Sequence, residues 1–246
     1  MKVIITRPYE QGLKFAEKLN RENISCILSP TLEIIYNKVP IDLNKYSWIV
    51  FTSPRGVVGL KKCLVNNDIQ KIKDKKIGVI GIETSKKFKE VFNREVDVIP
   101  KEYTAENLLK ELKKYIGDDD KILLPTTPSS RDVLSKNLNC DVVYIYRSEI
   151  PIDLKDKLSK VKKILLDDYL NNEKDVITFT SGLTAKNFFE NIDNKTMDVV
   201  DRFHHIVAIG PITEKTIRKY VNPNKTIYIP KIYTVEGMIE VIKSLK

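Results

Sequence analysis

The chain has 246 residues, 42% of them apolar, with 42 Lys and Arg against 33 Asp and Glu for a net charge of +9, a length that suits two α/β lobes at roughly 100 to 200 residues per domain. Nine glycines are too few for a chain built on glycine-rich phosphate loops, and no apolar run approaches the ~18 residues that span a bilayer. Val3, Ile4 and Ile5 after Lys2 are too short for the apolar core of a secretory signal, so a cytoplasmic protein with no membrane association is expected.

Taken in chain order, Lys2 to Ile5 (KVII) predicts a strand, Pro8 opens a helix, and Ile24 to Leu28 (ISCIL) predicts the next strand. Thr31 to Pro40 reads as an extended crossing. A strand at Trp48 to Phe51 runs into Thr52-Ser53-Pro54-Arg55, a helix start with Pro at its first position. The strand at Ile77 to Gly81 is followed by Thr84 and Ser85, and a short one at Val98 by Tyr103 and Thr104. Lys121 to Leu124 (KILL) is a strand, with a helical stretch predicted to begin near Pro128. Asp141 to Tyr146 is a strand that places Tyr146 on the same face as Tyr144, and Val142 to Pro151 forms a second crossing. Val176 to Phe179, Ile206 to Gly210 and the stretch at Tyr228 complete the set, followed respectively by Thr180-Ser181, Thr213 and Tyr233-Thr234.

These units recur in order. WIVFTSPRG, from Trp48, matches VITFTSG, from Val176, with Ser53 and Ser181 128 residues apart. IGVIGIET matches IVAIGPIT with Gly81 and Gly210 129 apart, and VIPKEYT matches YIPKIYT with Thr104 and Thr234 130 apart. A near-constant offset over three matches indicates duplicated lobes. The first set carries its own pair of further strands, KILL and DVVYIY, whereas the second must take KVII and ISCIL from the chain's beginning. The lobes are therefore circularly permuted. The predicted architecture is two α/β lobes of the flavodoxin-like kind, each a five-stranded mostly parallel sheet with flanking helices. One is discontinuous, 1–31 plus 151–246; the other, 46–147, is inserted. The crossings 31–40 and 142–151 would pair as a two-stranded β hinge. Ligands of open α/β sheets sit beyond the carboxyl ends of the strands, so the site is expected in a cleft where those ends of both lobes face one another.

The residues at those ends suggest an anion site. Ser53, Thr84, Ser181 and Thr213 follow strands directly, and each is also explained by helix capping alone. Several helix N-termini converging on one cleft would bind a polyanion through free backbone N–H groups, and a ligand with many carboxylates fits. Arg7, Arg55 and Arg131 lie at or just after such turns and could add bidentate contacts. No cofactor or metal is expected, because the two histidines, His204 and His205, are adjacent and enter a strand with opposite facings, and no HExxH or CxxC occurs. Cys26, Cys63 and Cys140 are isolated, which argues against a disulfide framework. Without a basic arm, a zinc-finger spacing or an aromatic RNA-binding motif, nucleic acid is not an expected partner.

Together FTSPRG at Phe51 to Gly56, the paired IG-x-x-T and IP-x-x-YT segments, Thr6-Arg7-Pro8 and VYIYRS at Val143 to Ser148 resemble the uroporphyrinogen-III synthase family over essentially the whole chain. The resemblance implies a cofactor-free lyase of porphyrin, tetrapyrrole and heme biosynthesis. Such an enzyme cyclises hydroxymethylbilane to uroporphyrinogen III with inversion of the last pyrrole ring and loss of water, through an azafulvene and a spiro intermediate. It further implies that Tyr146 assists departure of the hydroxyl and that Ser53, Thr84, Ser181 and Thr213 help bind the substrate's acetate and propionate groups; Arg7, Arg55 and Arg131, by their place at the strand-end turns, are expected to bind substrate beside them, and a monomer is expected. One departure is Pro125-Thr126-Thr127-Pro128, where many relatives are expected to carry a glycine. A non-catalytic two-lobed binding protein for a polycarboxylate would use the same helix ends, and a nucleotide-sugar transferase is disfavoured by the lack of a glycine-rich diphosphate turn.

Overall fold

A computed structural model describes the chain from Met1 to Lys246, apart from the side chains of residues 66 and 67. The backbone separates into two compact units, Met1–Glu33 with Ser148–Lys246, and Ile34–Arg147.

The first unit begins with β1 (Val3–Ile5), α1 (Tyr9–Arg21) and β2 (Cys26–Leu28). In α1 the apolar positions Phe15, Ala16 and Leu19 recur at helical spacing and are buried, so one stripe seals the sheet while Lys and Glu face water. β3 (Glu33–Tyr36) carries the chain into the second unit, followed by β4 (Trp48–Phe51), α2 (Pro54–Cys63), α3 (Asn66–Lys71), β5 (Lys76–Val79), α4 (Ile82–Phe92) and α5 (Ala105–Leu112). β6 (Ile122–Thr126), β7 (Cys140–Tyr144) and β8 (Tyr146–Glu149) return it. The first unit then resumes with α6 (Leu154–Leu170), β9 (Val176–Phe179), α7 (Gly182–Phe189), α8 (Asn194–Arg202), β10 (His205–Ala208), α9 (Pro211–Ile217), β11 (Ile227–Tyr228) and α10 (Val235–Ser244).

The sheet orders are β11-β10-β9-β1-β2 and β5-β4-β6-β7, all parallel. KVII thus lies beside VITF, with Val3 opposite Val176, and not beside WIVF. The two orders coincide when β1 and β2 are set against β6 and β7. β3 and β8 form a separate two-stranded antiparallel sheet. Within the segment 142–151, Val142 to Tyr144 belong to β7, and only Tyr146 to Glu149 reach β8.

Strand alternation divides each core in two. Ile4, Ile177, Phe179, Ile206 and Ala208 meet α6, α7, α8 and α9, whereas Val3, Ile5, Val176 and Val207 meet α1 and α10. In the second unit Ile49, Phe51, Ile77 and Val79 meet α2 and α4, while Trp48, Val50, Ile122 and Leu124 meet α5.

Three expectations are corrected. The second unit's sheet has four strands, not five; the stretch at Val98 contributes a single bridge to Gly78. Two residues on, Pro100 has no N–H with which to extend the pairing. The helix predicted from Pro128 is absent, and residues 128–138 form turns. There the Asp132 carbonyl accepts the Lys136 N–H as in a single helical turn and also the Ser135 hydroxyl, but the turn goes no further: Asn137 Nδ2 takes the Val133 carbonyl, a side-chain bond that competes with helix, while Leu134 fills the core in the helix's place. Tyr146 does not share a face with Tyr144: the strand breaks at Ile145, leaving Tyr144 50% exposed and Tyr146 5% exposed.

Helix starts follow the capping rule. Ser53, Thr104, Ser181, Asp193 and Thr234 each accept an N–H of the first turn. Asp193 also pairs with Lys162, and that hydrogen bond, with the Thr196 N–H, holds its carboxyl down at about 2. Asp193→Ala is expected to cost about 0.5–2 kcal/mol in urea unfolding at neutral pH. The folded value lies below the unfolded one of 3.8, so the contribution is present above pH 3.8 and fades as pH falls towards 2.

Candidate active site

In the second unit the carboxyl ends of β4, β5 and β6 lead into helix starts and turns. Ser53, extended at φ −160°, caps α2 by accepting the Gly56 N–H at 3.2 Å, with Pro54 in the first helical position. The Ser53 hydroxyl also lies 2.9 Å from the Tyr146 hydroxyl. Gly59 makes this approach possible: a Cβ there would fall 2.9 Å from Ile145 Cδ1. Its absence lets the break between β7 and β8 close against α2, which carries Tyr146 to the helix start. Tyr146 packs at 6.4 Å against Tyr36 of β3, over whose outer ring sits Lys62 Nζ, 4.5 Å from the centroid.

Arg55 stands half-buried in the first turn of α2, and among the described residues no side chain pairs with it. Its counterpart in the repeat is Leu183, so this cation occurs in one unit only. Arg131 is exposed in the turn segment and pairs with Glu106 at 3.0 Å. Thr84, 2% exposed, sits in the first turn of α4.

The first unit repeats the pattern with differences. Ser181 caps α7 through the Thr184 N–H at 3.2 Å, but its hydroxyl turns to Thr184 Oγ1 at 3.3 Å, not to a tyrosine. Thr213, 4% exposed, lies in the first turn of α9. Arg7, between β1 and α1, donates through Nη2 to Gln11 Oε1 at 3.0 Å. The duplicated IG turns share one device: Gly81 and Gly210 lie under the rings of Tyr103 and Tyr233, which a Cβ would meet at 3.0 and 3.3 Å.

Of the sequence-predicted site residues, the structure brings Tyr146 and Ser53 into direct contact. Arg55, Thr84 and Arg131 fall in the same unit as that pair, and Arg7, Ser181 and Thr213 in the other. Tyr36 escaped the sequence reading, since a tyrosine in the extended stretch EIIY carries no signal beyond packing. Helices α1 and α4 begin without a side-chain cap, which leaves first-turn N–H groups open to a ligand carboxylate.

A cavity of about 530 Å³, lined by residues including Lys174, Arg202, His205, Lys225 and Tyr228, lies at the amino ends of β10 and β11, the edge opposite the helix starts. In an open α/β sheet that is not the ligand edge. Among the described residues no group of three His, Cys, Asp or Glu could hold a metal ion, and no helix is long and apolar enough to cross a membrane.

Comparison with known proteins fits this geometry. The family model described as uroporphyrinogen-III synthase HemD matches residues 14–240. A Methanocaldococcus jannaschii protein that carries a provisional uroporphyrinogen-III synthase name is 49% identical over 100% of this chain and 99% of its own length. The uroporphyrinogen-III synthase of Chlorobaculum parvum is 29% identical over 88% of each. Among solved structures, the uroporphyrinogen-III synthetase of Helicobacter pylori 26695 superposes with a TM-score of 0.64 at 16% identity, covering 91% of this chain and 93% of that one. A mutant uroporphyrinogen III synthase of Thermus thermophilus gives 0.55 at 14% identity, covering 99% and 98%. These two carry the fold alone; the sequence matches carry the family. With a full-length relative at 49% identity and a family model spanning residues 14–240, the chain belongs to the uroporphyrinogen-III synthase family.

Proposed function

We propose that the chain cyclises hydroxymethylbilane to uroporphyrinogen III, with Tyr146 as the acid at the departing hydroxyl and helix starts at strand carboxyl ends binding the acetate and propionate groups. The observation that carries this reading is the Tyr146 hydroxyl held 2.9 Å from Ser53 at the α2 start, among helix starts suited to carboxylates. The C–O bond breaks with its electron pair going to oxygen, the Tyr146 proton leaves with it as water, and the pyrrole nitrogen's lone pair stabilises the electron-poor carbon. The ring carbon that finally bonds loses a proton, which restores Tyr146. No external oxidant, reductant or nucleophile is needed, and the protein's main task is to hold the tetrapyrrole folded. We further propose a cytoplasmic monomer, to be checked by light scattering.

Carboxylate binding rests on backbone N–H groups together with Arg7, Arg55, Thr84, Arg131, Ser181 and Thr213. Arg55 is the strongest of these cations because no side chain among the described residues competes for it. Arg55→Ala is expected to weaken product binding by about 1.5–3 kcal/mol, the range for a hydrogen bond to a charged group. Arg131→Ala is expected to cost less, since Glu106 already holds that guanidinium; titration calorimetry with product orders the two. The reaction itself is tested by adding freshly prepared hydroxymethylbilane and resolving the isomers by chromatography. Unassisted closure gives isomer I, so isomer III is the expected result and isomer I alone would reduce the protein to a binder.

A further inference from the structure

Ser53 and Ser181 occupy matching positions in the two repeats, and both cap a helix. They differ in what else their hydroxyls do. At the third helical position the first unit has Thr184, whose hydroxyl takes up that of Ser181 at 3.3 Å. The second unit has Gly56 there, with no side chain, and Ser53 is left for Tyr146 at 2.9 Å. A serine hydroxyl has one proton and two lone pairs. At Ser53 one lone pair accepts the Gly56 N–H, and among the described residues the proton has no acceptor other than Tyr146 Oη. The contact needs only one of the two hydroxyl protons. When Ser53 donates, the tyrosine proton stays available to a ligand; when Tyr146 donates, its proton is occupied.

We propose that Ser53 is a positioning residue and not a substrate-binding one: it donates to Tyr146 and thereby aims the phenol proton at the departing hydroxyl. This rests on the reading of Tyr146 as the acid. The cap supplies the rigidity, because the Gly56 N–H orients Ser53 Oγ and Ser53 in turn orients the phenol. The chain's two units are then chemically unequal despite their duplication, with proton transfer built into the half that carries Gly56.

The test is a double-mutant cycle on the full chain, reading kcat and KM for isomer III together with urea stability. Ser53→Ala is expected to lower kcat roughly tenfold, the size of one neutral hydrogen bond expressed in the barrier, with KM within about twofold. Ser53→Thr restores most of kcat. In a Tyr146→Phe background Ser53→Ala changes kcat by less than about twofold, because the group it positions is gone. Ser181→Ala removes an equivalent cap and is expected to lower the urea midpoint similarly, but its kinetic effect multiplies with that of Tyr146→Phe. Should Ser53→Ala fold poorly, Ser53→Gly removes the hydroxyl with little loss to the cap. A rise in KM with kcat intact, or a multiplicative effect of Ser53→Ala with Tyr146→Phe, overturns the proposal. A wild-type rate for Tyr146→Phe alone instead overturns the acid reading, and Ser53's role with it, so the two failures read differently.

Discussion

Tyr146→Phe lowers kcat for isomer III by an expected factor of up to about 100, the low end for a positioned acid, because a hydroxyl on a carbon attached to an electron-rich pyrrole leaves readily with little help. KM should hardly change, since the substituted group acts on the departing oxygen and not on the carboxylates. Stability should fall by only about 0.5–1.5 kcal/mol, one hydrogen bond: the phenyl ring keeps its place against Tyr36, and Ser53 keeps the Gly56 N–H. Tyr103→Phe and Tyr233→Phe are the comparison, their rings lying over Gly81 and Gly210 at 56% and 60% exposure. If Tyr146→Phe turns over at the full rate while either of these fails, the acid is misassigned.

The largest stability effect is expected at the opposite edge of the first unit's sheet, and it is a gain. Asp175 is fully buried at the start of β9. Burial, and then the neighbouring Asp168 carboxylate, push its carboxyl up to about 6. Its Oδ1 accepts the Lys2 N–H at 2.7 Å, but Oδ2 has a partner only when it carries a proton to share with Asp168. Burial works against the charge on Asp168 too, but its hydrogen bonds with the Lys2 ammonium and Asp175 hold it below the usual carboxylate range. The folded value of Asp175 lies above the unfolded one of 3.8. Its contribution is therefore fully present below pH 3.8 and is lost as pH rises through about 6. Asn keeps an acceptor for Lys2 and can donate to Asp168 at every pH. Asp175→Asn is expected to match the unsubstituted protein below about pH 4 and to exceed it by ~1–3 kcal/mol above about pH 6, a shift of about two pH units at roughly 1.36 kcal/mol each being the upper bound.

His204 works in the other direction. Fully buried, it accepts the Asp175 N–H on Nδ1 at 3.0 Å and donates from Nε2 to the Leu165 carbonyl at 2.9 Å, the neutral tautomer these partners require. Burial depresses its pKa below 6.5, so its contribution is present above pH 6.5 and is lost as pH falls towards the folded value. Comparing Asp175→Asn with the parent at each pH cancels this background. Urea unfolding between about pH 4 and 8 that shows no divergence would mean Asp175 is ionised at no cost.

The strands, the permuted duplication and the capping residues were legible in the sequence because each is a local signal: a two-residue alternation, a Ser or Thr before a helix, a recurring spacing. FTSPRG and FTSG read as the same strand and cap, and both are. Local signals failed where tertiary context decided. Residues 128–138 have a proline-led helix start, but only one helical bond forms, Lys136 N–H to the Asp132 carbonyl; the Asn137 side chain takes the next carbonyl, that of Val133, and the core needs only Leu134 from them. The face of Tyr146 followed from uninterrupted alternation, and the break at Ile145 that reverses it exists because Gly59, 86 residues earlier in the chain, leaves room for Ile145. The candidate chemistry depends on the same kind of term. Ser53 and Tyr146 are 93 residues apart and are brought near by the pairing of β4 with β6 and β6 with β7; the first unit pairs its strands in the same order, so which of two matching serines meets a tyrosine is decided by Gly56 standing where the other helix has Thr184, and by the room that Gly59 leaves for Ile145. Caps and periodicities are fixed by dihedral preferences within a few residues, whereas a contact across 93 residues exists only once the strands between have paired and packed.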